Sequence, residues 1–203
     1  MNKIPKPVAT RLPIYLHLLR SGNLGDKSYV SSAAIAKAAG LGEVQVRKDL
    51  AMISGSGKPK LGYLKEELIA DLANALDCAR EKRAVVIGAG KLGKALLSYE
   101  NFSEYNIAVI AAFDVNKEKF TDNYHGKKIL PIEELSAYCK ENGVEIGIIT
   151  VPANAAQGAA EELIACGVRF IWSFAPTRLV VPKGVALKEE NIVASLAVLA
   201  ADI

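Results

Sequence analysis

The chain has 203 residues, 51% of them hydrophobic and 23% charged, values of an ordinary globular protein of one or two domains, so wholesale disorder is excluded. No apolar run approaches the roughly 20 residues a bilayer demands, the N-terminus lacks the apolar core of a secretory signal, and Cys78, Cys139 and Cys166 are too scattered for a disulfide framework. These features predict a soluble cytoplasmic protein with no membrane contact. The net charge of +3 conceals an asymmetry: residues 1–62 hold ten Lys/Arg against three Asp/Glu, and residues 63–203 hold fifteen against nineteen. A basic segment on an acidic body is a hint of nucleic-acid binding.

In chain order, Val8–Arg20 carries Leu12, Tyr15, Leu16 and Leu19 at helical spacing, with Pro13 admissible only near the first turn. Ser31 and Ser32 offer an N-cap to a helix over Ala33–Ala39, which Gly40 ends. After the turn Leu41-Gly42, Glu43–Ile53 forms a second helix with Val46, Leu50 and Ile53 inward, which leaves Gln45 and Lys48 outward and Arg47 at the edge. Two short helices across a glycine-containing turn are a helix-turn-helix pattern, here spanning about 15–54. The glycine-rich, basic stretch 55–63, with Lys58 and Lys60, then reads as a wing. Arginine and glutamine can read base edges, and lysine more often binds phosphate. The candidate DNA-binding residues are therefore Ser31, Ser32, Gln45, Arg47, Lys48, Lys58 and Lys60. A further helix over Glu66–Leu76 completes an N-terminal domain of about 80 residues.

From Arg83 the pattern changes. Apolar runs at Arg83–Gly88, Ile107–Phe113, Ile146–Val151 and Val168–Phe174 alternate with helical stretches at Leu92–Tyr99, Ile132–Cys139 and Ala155–Ala165. Strands apolar on both faces, separated by helices, predict a doubly wound parallel sheet over residues 83–188. Gly88-Ala89-Gly90-Lys91-Leu92-Gly93 follows the first strand and opens a helix, the arrangement that lets a dinucleotide's pyrophosphate approach the backbone at a helix N-terminus. Asp114, 21 residues beyond Gly93 at the end of the next strand, can accept both ribose hydroxyls and would repel a 2′-phosphate. With no Arg in the following residues, the expected ligand is NAD(H) over NADP(H); another nucleotide, or none, remains open from the motif alone.

Residues 189–203 end the chain as a nearly uncharged helix, Asn191–Ile203, apolar on more than one face. Such a helix must be buried, either on its own sheet or against a partner subunit. No Ser/His/Asp, Cys/His or metal-ligand spacing occurs, and the two histidines, His17 and His125, stand apart. No catalytic residue is nominated; Tyr99 is the nearest candidate acid/base and reads better as a packing residue. The protein is expected not to be an enzyme, although a small Rossmann-fold enzyme or nucleotide-binding module is the alternative from another class.

The assembled strings resemble the Rex-type redox-sensing transcriptional repressors of bacteria. They are Arg11-Leu-Pro-Ile-Tyr15, Val30-Ser-Ser32, Gln45-Val-Arg-Lys-Asp-Leu50, Gly62-Tyr63, Gly88-Ala-Gly-Lys-Leu-Gly93, Ala112-Phe-Asp114, Ile149-Thr-Val-Pro152, Phe174-Ala-Pro176 and Val181-Pro182. The resemblance implies a homodimer with a winged-helix domain, an NAD(H)-binding Rossmann domain and a C-terminal helix swapped between subunits. It implies binding to a palindromic operator that NADH releases. It extends the cofactor-binding set to Tyr99, Val115, Thr150, Val151, Pro152, Phe174, Ala175 and Pro176. The chain departs from the family pattern at Pro59, where the wing usually has an Arg, at His17, in place of an Arg, and at Asn191 and Ile192, in place of an Asp and an aromatic residue. The family's Arg, Asp and a Tyr matching Tyr99 belong to its redox-dependent network. A paralogue with a weakened switch, or one that senses another nucleotide, is the alternative within the same class.

Overall fold

The computed structural model describes residues 4–25 and 27–201. The chain divides into two compact units, Met1–Arg80 and Glu81–Ile203.

In the first unit the predicted helix Val8–Arg20 is two, α1 (Lys6–Ala9) and α2 (Leu12–Arg20). The break places Pro13 in the first turn of α2, where its missing N–H costs nothing. A strand β1 (Tyr29–Val30) precedes α3 (Ser32–Ala39) and α4 (Glu43–Ser54). The Ser31 hydroxyl accepts the Ala34 N–H at 3.1 Å to start α3, and Gly40, at φ 65°, ends it in the left-handed region. After β2 (Tyr63–Leu64) comes α5 (Lys65–Ala75). Leu12, Leu16 and Leu19 of α2, Ile35 of α3, Val46 and Leu50 of α4, and Leu68 and Leu72 of α5 are all buried.

β1 and β2 pair antiparallel through Tyr29↔Leu64 and Val30↔Tyr63. Beyond them Lys58 and Gly62 exchange backbone hydrogen bonds of 2.7 and 2.9 Å, which closes the tip of the wing. Gly62 sits at φ 89°, and a Cβ there would lie 2.2 Å from the Val30 carbonyl oxygen. No other residue type fits that crossing of wing and strand.

The second unit is a seven-stranded sheet in the order β5-β6-β4-β3-β7-β8-β9. Its strands are β3 (Lys82–Ile87), β4 (Ile107–Asp114), β5 (Thr121–Tyr124), β6 (Lys127–Pro131), β7 (Val144–Ile149), β8 (Phe170–Ser173) and β9 (Ala186–Glu189); its helices are α6 (Lys91–Leu97), α7 (Leu135–Asn142), α8 (Ala153–Ala165) and α9 (Ile192–Ala201). All neighbouring pairs are parallel except the β5–β6 hairpin. The chain winds from β3 outward through β4 to β6, returns to β7 on the other side, and continues to β9, the doubly wound order with its switch between β3 and β7. Val85 and Ile87 feed the core beneath α7 and α8, and Ala84 and Val86 feed the opposite core with Leu97, Val109 and Ile148. Burial on both faces is why β3 reads as one continuous apolar run.

Two elements depart from expectation and one is new. The stretch around His125, which carries no strand signal, is a hairpin turn, with His125 at φ 53° and Gly126 at φ 79°, values that close a two-residue β-turn. The helix expected over Ile132–Cys139 begins as a 3-10 turn at Ile132–Glu134 and runs to Asn142. The alternative in which the last helix packs on its own sheet does not hold, since every described residue of α9 is exposed. Ile203, counted among that helix's apolar residues, lies outside the described residues, as do Met1, Asn2 and Lys3 of the opening segment.

Candidate functional site

The nucleotide cradle forms where β3 meets α6. Gly88, at φ 98°, turns the chain, and a Cβ there would lie 2.8 Å from Val151 Cγ1. At Gly93 a Cβ would lie 1.9 Å from the Gly88 carbonyl oxygen and 2.8 Å from Thr150 Oγ1, so helix and strand touch backbone to backbone. Gly90 differs: nothing lies within 4 Å of the Cβ position, and it opens α6 with φ −75°. Two glycines are thus demanded by packing, and the third leaves the loop open to an approaching ligand. The Thr150 hydroxyl donates to the Gly88 carbonyl at 2.7 Å, with the Ile87 carbonyl at 3.1 Å, tying β7 to the loop.

A cleft of about 720 Å³ opens at the carboxyl ends of these strands, a size suited to a cofactor. Of the residues proposed from sequence, Gly88, Gly90, Asp114, Val115, Thr150, Val151, Pro152, Phe174 and Pro176 line it. Ala89, Gly93 and Ala175 are buried beneath, and Lys91 and Leu92 lie on the exposed first turn of α6. Tyr99 is not brought to the cleft; it stands edge-on to Phe102 at 5.3 Å and borders a different hollow with Glu100 and Lys127. Sequence reasoning missed Phe113, Asn116, Lys119 and Ile132, and the α8 face of Ala155, Gly158, Ala159 and Glu162. The small residues of that face stand three and four apart, a spacing that could have revealed it.

Asp114 is held by three hydrogen bonds: its Oδ2 accepts the Ala89 N–H at 2.7 Å and Lys119 Nζ at 2.8 Å, and its Oδ1 accepts the Asn116 N–H at 2.8 Å. A carboxylate offers about four lone-pair sites, so it keeps capacity to accept from a ligand beside these partners. Burial pushes its carboxyl up; the hydrogen bonds from Lys119, Asn116 and Ala89 outweigh that and hold it below the usual range. The lack of an Arg after Asp114 does not leave this corner without a cation either, because Lys119 supplies one.

In the first unit, Gln45, Arg47 and Lys48 are all exposed on α4, with Val46 and Leu50 buried beneath them and Ile53 half-buried. Ser31, Ser32, Arg47, Lys58, Pro59 and Lys60 border one hollow of about 410 Å³ between α4 and the wing; Gln45 and Lys48 lie outside it. Lys58 rests 5.6 Å above the Tyr29 ring, and Lys60 holds the wing tip at φ 64°. Asp49, of the same helix, points inward. It is buried, takes a two-pronged ion pair from Arg11 at 2.7 and 2.8 Å, and accepts the Tyr15 hydroxyl at 2.7 Å. This triad, which fixes α4 to α2, is not recognisable from sequence, because Arg11 and Asp49 stand 38 residues apart.

His17 is exposed on α2. Asn191 caps α9, its Oδ1 accepting the Ala194 N–H at 2.9 Å, and Ile192 is exposed. Among the described residues no three His, Cys, Asp or Glu side chains gather as metal ligands, and no helix is long and apolar enough to cross a membrane.

Comparison with known proteins agrees with this division of chemistry. A family described as a putative DNA-binding protein N-terminus matches residues 3–51, and one described as a CoA binding domain matches residues 79–177. The redox-sensing transcriptional repressor Rex of Treponema denticola is 38% identical over 98% of this chain and 95% of its own length. Rex of Carboxydothermus hydrogenoformans is 38% identical over 97% and 95%. The crystal structure of RSP in complex with β-NAD+ and operator DNA matches all of this chain and 93% of that one, with a TM-score of 0.90 and 29% identity; RSP with β-NADH matches with a TM-score of 0.84. The relatives are regulators, which removes the small-enzyme alternative, and nothing in the comparisons favours the paralogue with a weakened switch. The chain belongs to the Rex family of redox-sensing transcriptional repressors.

Proposed function

We propose that the protein is a cytoplasmic, homodimeric repressor that binds a palindromic operator through its first unit and releases it when NADH occupies the cleft of its second. The observation that carries this reading is the end-to-end match, at a TM-score of 0.90, to a repressor crystallised with both β-NAD+ and operator DNA. The residues we assign to it divide between the two units. Gln45, Arg47 and Lys48 present donors from α4 to the major groove, and Lys58 and Lys60 meet the backbone or minor groove from the wing. Ser31 and Ser32, at the start of α3, hold phosphate. The Gly88–Gly93 loop holds the pyrophosphate, Asp114 accepts a ribose hydroxyl, and Thr150, Val151, Pro152, Phe174 and Pro176 border the nicotinamide half. α9 supplies the dimer contact, and its exchange between subunits buries the apolar faces that one chain leaves in water. In this reading His17, Asn191 and Tyr99 belong to the contacts that distinguish the dimer's two states.

Retardation of palindromic duplexes tests the DNA half. Arg47→Ala is expected to weaken specific binding by about 1–3 kcal/mol, roughly 5- to 150-fold, and wild-type affinity is expected to fall steeply with salt. Indifference to both would contradict the assignment of α4.

A further inference from the structure

Between β8 and β9 the chain crosses residues 174–185 without helix or strand. Connections of about this length are uncommon in compact domains unless they are functional or disordered, and this one is ordered by specific bonds. Its entry belongs to the sheet: the Phe174 N–H donates to the Ile149 carbonyl at 2.8 Å, and the Phe174 ring leans on Trp172 at 4.5 Å. Pro176 follows, with no N–H of its own, and lines the cleft beside Phe174. Beyond it the strap is held by side chains. Leu179, buried in the core, donates its N–H to Glu189 Oε1 of β9 at 2.8 Å. The next residue, Val180, donates its N–H to Gln157 Oε1 at 3.0 Å and accepts Gln157 Nε2 at 3.1 Å on its carbonyl. The Gln157 amide thus pairs with the strap as a neighbouring strand's peptide would. Its second Nε2 hydrogen goes to Glu161 Oε1 at 2.9 Å, one turn further along α8. That carboxylate fixes the amide's direction, because a turned amide would set its oxygen against both Glu161 and the Val180 carbonyl.

The same helix serves the ligand. Ala155, Gly158 and Ala159 of α8 line the cleft, whereas Gln157 and Glu161 border a separate hollow with Val180, Val181 and Pro182. From this geometry we infer that Gln157 is a positioning residue for the dinucleotide. It ties the strap to α8 so that Pro176 closes the cleft on the ligand's nicotinamide half, which sets the preference for the complete dinucleotide over one that ends at the ribose. The inference rests on the proposal that the cleft binds NAD(H) with its nicotinamide half beside Phe174 and Pro176. The clamp adds little to the stability of the fold. Val180 is 79% exposed, so its N–H and carbonyl, once freed, are taken up by water. What the clamp fixes is where the strap lies, and Pro176 with it.

The test measures the dissociation constants of NADH and of ADP-ribose, which lacks the nicotinamide, by calorimetry on the wild-type protein and two variants. Gln157→Met keeps the stem and removes the amide. It is expected to weaken NADH by about tenfold, the factor that ~1.4 kcal/mol represents. ADP-ribose, held by the glycine loop and Asp114, is expected to stay within about twofold of wild type, the margin for independent sites. Gln157→Glu loses both donors and sets a carboxylate against Glu161, and is expected to show the same selective loss. Thermal unfolding of both variants is expected to fall by less than about 4 °C, which separates a displaced strap from a damaged fold. If Gln157→Met weakens NADH and ADP-ribose equally, or weakens neither, Gln157 does not position the nicotinamide half and the inference is overturned. A wild-type protein that binds neither ligand overturns the NAD(H) reading itself, a result distinguishable from an unchanged ratio.

Discussion

At the scale of single residues, the three loop glycines make different demands, and this separates ligand binding from folding. Gly93 has the Gly88 carbonyl oxygen where a methyl group would stand, so Gly93→Ala is expected to lower thermal stability by several degrees and to abolish NADH binding with it. Gly90 has open space and an ordinary φ, so Gly90→Ala is expected to unfold at the wild-type temperature but bind NADH at least about tenfold more weakly, because only the pyrophosphate meets the added methyl. Parallel melting and calorimetry check both; an unchanged affinity in Gly90→Ala would place the ligand elsewhere. The Arg11–Tyr15–Asp49 triad makes a pH-dependent prediction. Burial, then the neighbouring Asp49, pushes the Tyr15 hydroxyl up to about 12. A raised pKa gives stability that is complete below the unfolded value near 10 and is lost as pH rises toward 12. Tyr15→Phe is expected to cost about 1.5–3 kcal/mol at pH 7, the worth of a hydrogen bond to a charged group. That gap should close between pH 10 and 12 in thermal melts that follow the first unit. Asp49 contributes in the opposite sense: burial raises its carboxyl, but the bonds from Arg11 and Tyr15 win and hold it low, so its contribution is lost on acidification below about 4.

At the scale of elements, α9 is the one whose environment is least complete. Leu196 and Leu199 are 65% and 63% exposed, and an isolated ten-residue helix is marginal in water, so the proposed packing of α9 against a second copy would supply the stability it lacks alone. Burying the exposed two-thirds of these two leucines in both subunits is worth about 4–8 kcal/mol. The double variant Leu196→Glu, Leu199→Glu is expected to sediment as a monomer where the wild-type chain sediments as a dimer. A monomeric wild type, or a variant that still dimerises, would contradict the role given to α9. Much of the rest is legible from periodicity. β3, β4, β7 and β8 and the helices flanking them announce themselves because double-sided burial writes unbroken apolar runs. β1 and β2 do not, since two-residue strands have no alternation to read. The β5–β6 hairpin, at the edge beside β4, is mostly polar through Thr121–Lys128, so that stretch carries no strand signal. Within the site, the glycine loop and Asp114 are legible because their spacing is fixed by a strand-turn-helix. Lys119 is not, because it reaches the cleft only through the course of the chain beyond β4, whereas the small residues of α8 carry a three-and-four spacing that could have revealed them. The burial of Asp49 is not, because it depends on Arg11, 38 residues away.

At the scale of the whole molecule, the uneven charge follows the division into units. The basic surplus lies in the segment that carries α4 and the wing, and the acidic balance lies in the unit that holds the nucleotide cleft. That balance favours contact with nucleic-acid phosphates in the first unit and disfavours it over the surface of the second. Dinucleotide binding can alter DNA affinity only by favouring one dimer geometry over another, and two recognition helices engage successive major grooves only near a 34–36 Å spacing. Coupling between cleft and α4 is therefore what the proposed function requires of the molecule. Fluorescence anisotropy of a labelled palindromic operator, titrated with NADH and with NAD+ at fixed salt, measures that coupling. NADH is expected to raise the operator dissociation constant by about 5- to 150-fold, the usual span of allosteric coupling, and NAD+ to leave the complex formed. Operator affinity indifferent to NADH, at concentrations that calorimetry shows to fill the cleft, would contradict it.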